Sequence, residues 1–290
     1  MSSSLAVWLF SLLARLPLAV LHRIGALLGW LTYRLSGKYA QQLRENFDYA
    51  LAGHSAHESL LDASVEEAGK ALIELPWVWC RLLPEVLACV KACYGWQHVE
   101  AAQAQGKGLI FLTPHFGCFE IASLYIAERM PITVLYRPPR LSWLEQVMRN
   151  GRERSQVRLA RTDVSGVRLL YKALKRGEAI GLLPDQVPGK GEGEWANFFG
   201  RSAYTMTLVG RLIESTGAIA MMTYVERLPR GAGYVIRFAP LEFTPGLPVT
   251  RQINAALEEV VRAYPAQYLW SYNRYKVPSG VQLPDGIRES

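Results

Sequence analysis

The chain has 290 residues, 50% hydrophobic and 20% charged, enough apolar mass for a large core and too much for a disordered or fibrous protein. Its formal net charge of +7 favours an anionic partner: phosphate, acidic lipid or acidic protein. Four cysteines (Cys80, Cys89, Cys93 and Cys118) are too few for a disulfide scaffold and lack paired CxxC spacing, so small buried thiols in a reducing compartment are expected, with no metal site.

Residues 5–35 are strongly apolar but interrupted by Arg15, Pro17, His22 and Arg23, so no run reaches the roughly 18 uncharged residues of a spanning helix. On a helical wheel Ser4, Ser11, Arg15 and His22 share a narrow arc, and Trp8, Phe10 and Trp30 occupy the other faces. One thin polar stripe with interfacial Trp predicts a helix lying in the plane of a bilayer surface; a tilted span is the alternative. No Lys or Arg precedes the apolar run, which argues against a secretory signal. The expected organisation is an apolar membrane-associated helix over residues 1–38 and one α/β domain over 39–290. His54, His57 and Glu58 read as a solvated loop.

Residues 55–95 have helical character, with Ser64 expected to cap a helix over 65–75 that Pro76 limits. Further on, short apolar runs at 108–113, 132–136, 179–183 and 219–225 predict buried strands, and 234–238 predicts another. Helical spacing occupies 117–129, 141–153, 165–176, 205–216 and 250–263. This alternation predicts an α/β fold, a mixed and largely parallel sheet flanked by helices, with ligands at the carboxyl ends of its strands.

Strand ends therefore hold the candidate chemistry. After 108–113 comes TPHFGCFE, which sets His115 at a strand end and Glu120 in the first turn of the next helix. Five positions apart on one helix they would point about 140° apart, so they can meet only if His115 lies in the turn ahead, which Pro114 and Gly117 permit. There Glu120 could accept one imidazole N–H, leaving the other nitrogen as a base. The next strand ends in YRPPR with Arg137, and the following one in LLPDQ with Asp185 and Gln186; the glycine-rich stretch to Gly193 reads as a mobile loop. Residues 129–176 contain twelve Lys/Arg against three acids, beside these strand ends. Arg137, Arg149, Arg152 and Arg154 are candidates for bidentate phosphate contacts. Near the C-terminus Tyr268, Trp270, Tyr272, Arg274, Tyr275 and Lys276 mix aromatics with cations, a packing segment that could also hold an anionic head group.

TPHFGCFE, YRPPR, NGRERS, LLPDQ and PAQYLWSYNRYK, in this order, make the chain resemble the lipid A biosynthesis late acyltransferases (lauroyl or myristoyl) of the lysophospholipid acyltransferase superfamily. The resemblance runs from the apolar N-terminus to Lys276. It implies a glycerolipid-acyltransferase-like fold and an acyltransferase with His115 as general base and Glu120 as its acid. It also implies substrate contacts at Arg137, Asp185 and Gln186, acyl carrier protein thioester as donor, an anionic glycolipid hydroxyl (a lipid A precursor) as acceptor, with another glycolipid or a lysolipid as the alternative acceptor, and a place on the cytoplasmic face of the cell inner membrane. Cys118 stands where the family's pattern has Asn. The chemistry needs no cofactor: a base deprotonates the alcohol, a thiolate leaves readily, and no GxSxG elbow supplies an enzyme nucleophile. A nucleic-acid-binding protein would leave the apolar N-terminus and the His115 turn unexplained, and a hydrolase of the same fold differs only in using water as acceptor.

Overall fold

A computed structural model describes residues 3–284. Two apolar helices open it, α1 (Ser3–Ala14) and α2 (Leu18–Leu35). The single N-terminal helix expected from the sequence is divided just ahead of α2 by Pro17, which has no N–H to donate and sits at φ −58°, ψ 142°. No helix among the described residues is long and apolar enough to cross a membrane. α1 packs on α5 (Leu75–Cys80) and α9 (Ser142–Arg152), while α2 lies along α4 (His57–Ile73). That crossing is close because Gly25 and Gly29 face Gly69; a Cβ on any of them would collide with the backbone of the opposite helix. α3 (Gly37–Leu51) precedes α4 and α6 (Leu83–Leu87) follows α5. Ser64 is no cap: it lies buried inside α4, its hydroxyl donating to the Leu61 carbonyl at 2.8 Å.

The sheet follows, with β1 (Val90–Tyr94), α7 (Trp96–Gln103), β2 (Leu109–Leu112), α8 (Glu120–Ala127), β3 (Ile132–Tyr136), then α9, β4 (Val157–Arg161), α10 (Val164–Lys175) and β5 (Ala179–Leu182). A two-stranded antiparallel hairpin, β6 (Gly193–Phe198) and β7 (Arg201–Met206), occupies the stretch following the glycine-rich loop. α11 (Leu208–Thr216), β8 (Ile219–Arg227), β9 (Tyr234–Pro240) and α12 (Val249–Ala263) complete the order. The seven sheet strands run β1-β9-β8-β2-β5-β3-β4, parallel throughout except for the β8–β9 pair. This is the mixed, largely parallel sheet flanked by helices that the alternating pattern predicts.

β2 and β5 are buried on both faces, as central parallel strands must be. Alternate β2 residues feed two cores. Leu109 and Phe111 join Trp77, Ile121 and Leu124 in the first, on the face of α1, α5, α8 and α9. Ile110 and Leu112 join Phe47, Leu170, Leu212 and Leu257 in the second, on the face of α3, α4 and α10 to α12. The edge between these cores, at the carboxyl ends of β2 and β5, is where the candidate site forms.

Candidate active site

β2 leaves the sheet through a turn held on every side. The His115 carbonyl accepts from Leu269 N–H at 3.0 Å, and Gly117 N–H donates to the Gln267 carbonyl at 3.0 Å. Cys118 N–H donates to the Val225 carbonyl at 3.1 Å, and Phe116 bridges Tyr268. Gly117 has φ +51°, and a Cβ there would strike the Val225 carbonyl, so only glycine fits. Behind the turn, buried Arg227 donates to the Gly117 carbonyl at 2.9 Å. The side chain of Gln267 bonds the Arg227 amide and carbonyl, each at 2.8 Å. Arg227 is ion-paired to Glu74 and Glu67, and Glu74 also takes bonds from Tyr234 (2.9 Å) and His22 (3.2 Å). Sequence reasoning missed this bracing. Its signals were an arginine closing the apolar run IAMMTYVER and a glutamate inside LIELPWVW, two charges that burial obliges to pair.

This frame aims His115 at the end of the neighbouring strand. Its Nδ1 lies 2.8 Å from Asp185 Oδ1, and its backbone N–H donates to Asp185 Oδ2 at 2.8 Å. Because a carboxylate only accepts, Nδ1 carries the proton and Nε2 is the free base, which the Gln186 amide caps at 3.2 Å. Burial alone would raise the Asp185 carboxyl, but the His115 charge and the hydrogen bonds His115 donates outweigh it and hold the acid below the usual carboxylate range. The imidazole is mostly buried, its ring centroid 5.0 Å from that of Phe119.

The expected His115–Glu120 contact is corrected. His115 does sit in the turn ahead of α8, but the adjacent parallel strand delivers Asp185 to its Nδ1 first. Glu120, 5% exposed, is instead bidentate with Arg152 and accepts from Trp79 Nε1 at 2.9 Å. Arg152, expected to contact a phosphate, is thus ion-paired to the acid; its guanidinium also lies 5.7 Å from the Trp79 ring centroid. Two further expected ligand contacts are taken up by structure. Arg154 donates to the carbonyls of Gly151, Arg81 and Val78, and Arg274, 2% exposed, donates to the Tyr204 carbonyl, Thr205 and Asn254. Arg149 pairs with Glu153. Arg137 is exposed beyond β3, and its side chain has no ion pair or hydrogen bond among the described residues. Burial pushes the Cys118 thiol well above its ordinary range, which favours the neutral thiol over the thiolate.

Beside this centre a narrow cavity of about 40 Å³ lies between α8 and the sheet. Thr113, Glu120, Ser123 and Arg152 contribute its polar lining; Phe111, Ile126, Val134 and Gly181 are among its apolar walls. Among the described residues no group of three or more His, Cys, Asp or Glu side chains could hold a metal ion. The arrangement is thus an imidazole held by a buried carboxylate, next to a narrow and mostly apolar slot.

A family described as bacterial lipid A biosynthesis acyltransferase matches residues 1–277. The lipid A biosynthesis lauroyltransferase of Escherichia coli strain K12 is 28% identical over 291 residues, 96% of this chain and 92% of that protein. The lipid A biosynthesis palmitoleoyltransferase of the same strain is 26% identical over 93% of this chain and 88% of its own. A lipid A biosynthesis acyltransferase of Haemophilus influenzae is 27% identical with the same coverage.

Proposed function

Because the chain belongs to the bacterial lipid A biosynthesis acyltransferase family, we propose that it moves a fatty acyl chain from acyl carrier protein thioester to a hydroxyl of a lipid A precursor. The observation that carries the mechanism is the His115–Asp185 pair, with Nε2 as the free nitrogen. The acceptor hydroxyl displaces Gln186 from Nε2, which removes its proton as the oxygen attacks the thioester carbon, and Asp185 stabilises the imidazolium. The amides of Phe119 and Glu120, which open α8 and donate to no acceptor among the described residues, supply the oxyanion donors. The thiolate then leaves as the tetrahedral intermediate collapses, and the imidazolium proton neutralises it. Glu120 and Arg152 form a neutralised pair at the cavity, and Arg137 is the unpaired guanidinium on the same edge for the glycolipid's anionic groups.

The protein works at the inner membrane's cytoplasmic face. Trp8, Leu12, Leu27, Trp30 and Leu35 on α1 and α2 are exposed, and Arg34 stacks over Trp30 at 5.1 Å, a surface suited to the headgroup boundary. With α1 and α2 broken at Pro17, an interfacial seat fits better than a span.

The test is mass spectrometry of lipid products after the protein meets acyl carrier protein thioester and an under-acylated lipid A precursor, with His115→Ala in parallel. Gain of one acyl chain, lost in the variant, is expected. Thioester consumption that ignores the substitution would overturn the mechanism; free fatty acid in place of acylated lipid would make the protein a hydrolase.

The apolar cavity, too small at about 40 Å³ to hold a whole acyl chain, is the proposed entrance to its seat and widens as the chain enters. A Cβ on Gly181 would approach Val134 at 3.3 Å and Ile132 at 3.5 Å in its wall. Gly181→Ala should therefore shift preference toward the shorter of two competing acyl thioesters by about tenfold or more, the scale of one methylene in an apolar pocket. Unchanged selectivity would assign the chain to another groove.

A further inference from the structure

On the second-core face, α10 and α11 flank an open groove of about 450 Å³. Val167, Tyr171 and Leu208 line it with apolar surface, and Arg168, Lys172 and Arg211 line it with positive charge; no carboxylate takes part. None of these three cations makes a hydrogen bond or ion pair through its side chain among the described residues. Several basic side chains elsewhere are matched by carboxylates: Arg149 with Glu153, Arg161 with Glu145, Arg176 with Glu178, Arg237 with Glu226. Tyr171 is 40% exposed, and Val164 and Leu169 on the same helix are more so. Neither the hydrogen-bonding network of the site nor either core uses these cations.

We infer that this groove is the docking surface for an acidic amphipathic helix of the carrier protein that delivers the acyl thioester. The inference rests on the acyl-transfer reading above and adds where its donor binds. Apolar side chains between two helices with unpaired cations beside them match a helix that presents apolar anchors flanked by carboxylates. Position supports delivery to His115. α10 starts where β4 ends and α11 ends where β8 begins, so both helices run down from the carboxyl edge of the sheet. The upper end of the groove, near Leu208 and Arg168, therefore opens toward the edge carrying Asp185 and His115. The exposed apolar residues of α1 belong to a helix packed on the first-core face, away from the groove, while those of α2 belong to a helix lying along α4, so the vesicle arm of the test below separates carrier protein from lipid.

The experiment uses the full chain and a charge-reversed variant, Arg168→Glu/Lys172→Glu/Arg211→Glu, with two donors: an acyl thioester on acyl carrier protein and the same acyl group on free pantetheine. All three positions are on the surface, where substitutions change stability little; Arg168→Ala/Arg211→Ala serves if the triple variant does not fold. Expected is a KM for the carrier-borne donor raised about tenfold or more, the scale of lost electrostatic steering, with the pantetheine donor used as before. Equal use of the carrier donor by both chains overturns the docking site and leaves acyl transfer standing. Equal loss on both donors also overturns it, because the groove then serves the fold or the chemistry. If the parent chain uses the pantetheine donor but not the carrier, the carrier reading falls and the docking site with it. Loss of binding to phosphatidylglycerol vesicles with an unchanged carrier KM would reassign the groove to lipid.

Discussion

Replacing Asp185 by Asn should lower the transfer rate by about 10⁴-fold while the chain stays folded, because an amide donates where the carboxylate accepts and turns His115 to the wrong tautomer. In the parent chain both Asp185 oxygens are engaged by His115, one through Nδ1 and one through the backbone N–H. The substituted amide keeps an acceptor for only one of them. Glu120→Gln should also cost activity, but by a different route: Arg152 loses its bidentate partner and is left charged and largely buried at the cavity. The two variants are separated by the split between kcat and KM: Asp185→Asn should lower kcat with KM for the acyl donor nearly unchanged, because it acts on the orientation of His115 alone, whereas Glu120→Gln should move KM as well, because it disturbs the lining of the cavity. The reverse pattern, with Asp185→Asn nearly full in activity, would restore Glu120 as the acid that orients His115 and require the turn to move when substrate binds.

Why the sequence pointed to Glu120 and not to Asp185 is a matter of what local patterns carry. The runs at 108–113, 132–136, 179–183, 219–225 and 234–238 became β2, β3, β5, β8 and β9 because central strands are continuously apolar. Edge strands are not. β1 (VKACY) and β4 (VRLAR) place Lys91, Arg158 and Arg161 toward solvent, so each is too polar to stand out among helical neighbours. The β6–β7 hairpin escaped because its two-residue turn is Phe199–Gly200, both left-handed at φ +50° and +84°, where Asn-Gly would have announced it. His115 and Asp185 were each legible as strand-end residues. Their pairing depends on β5 lying next to β2, 70 residues away along the chain, and the strand order is set by packing rather than by any local spacing. The same holds for Arg274 and Arg154: their charge was readable, and their burial against carbonyl groups was not.

The buried pair behind the catalytic turn supplies the second large effect. Arg227→Met should destabilise the chain by about 3–5 kcal/mol, because it strands Glu74, 1% exposed, without its counter-ion. Burial would by itself raise the Glu74 carboxyl, yet the Arg227 charge and the bonds from His22 and Arg227 bring it from 4.5 down to about 2. With the folded value below the unfolded one, the stabilisation is complete above about pH 4.5 and is lost as pH falls toward 2. Urea unfolding followed across that window should show stability falling in the parent chain and a flatter profile in Glu74→Gln. The compensated variant Glu74→Leu/Arg227→Met then separates stability from activity. Apolar replacement of both partners is often neutral or better for stability, and Glu67 keeps Lys70 at 2.9 Å, so folding should recover. The Gly117 carbonyl would still lack the donor that Arg227 supplies, and the turn carrying His115 would lose one of its fixed points. A stable double variant with reduced kcat and an unchanged KM is the expected result, making Arg227 a positioning residue. Full recovery of kcat together with stability would reduce the pair to a support of the fold alone.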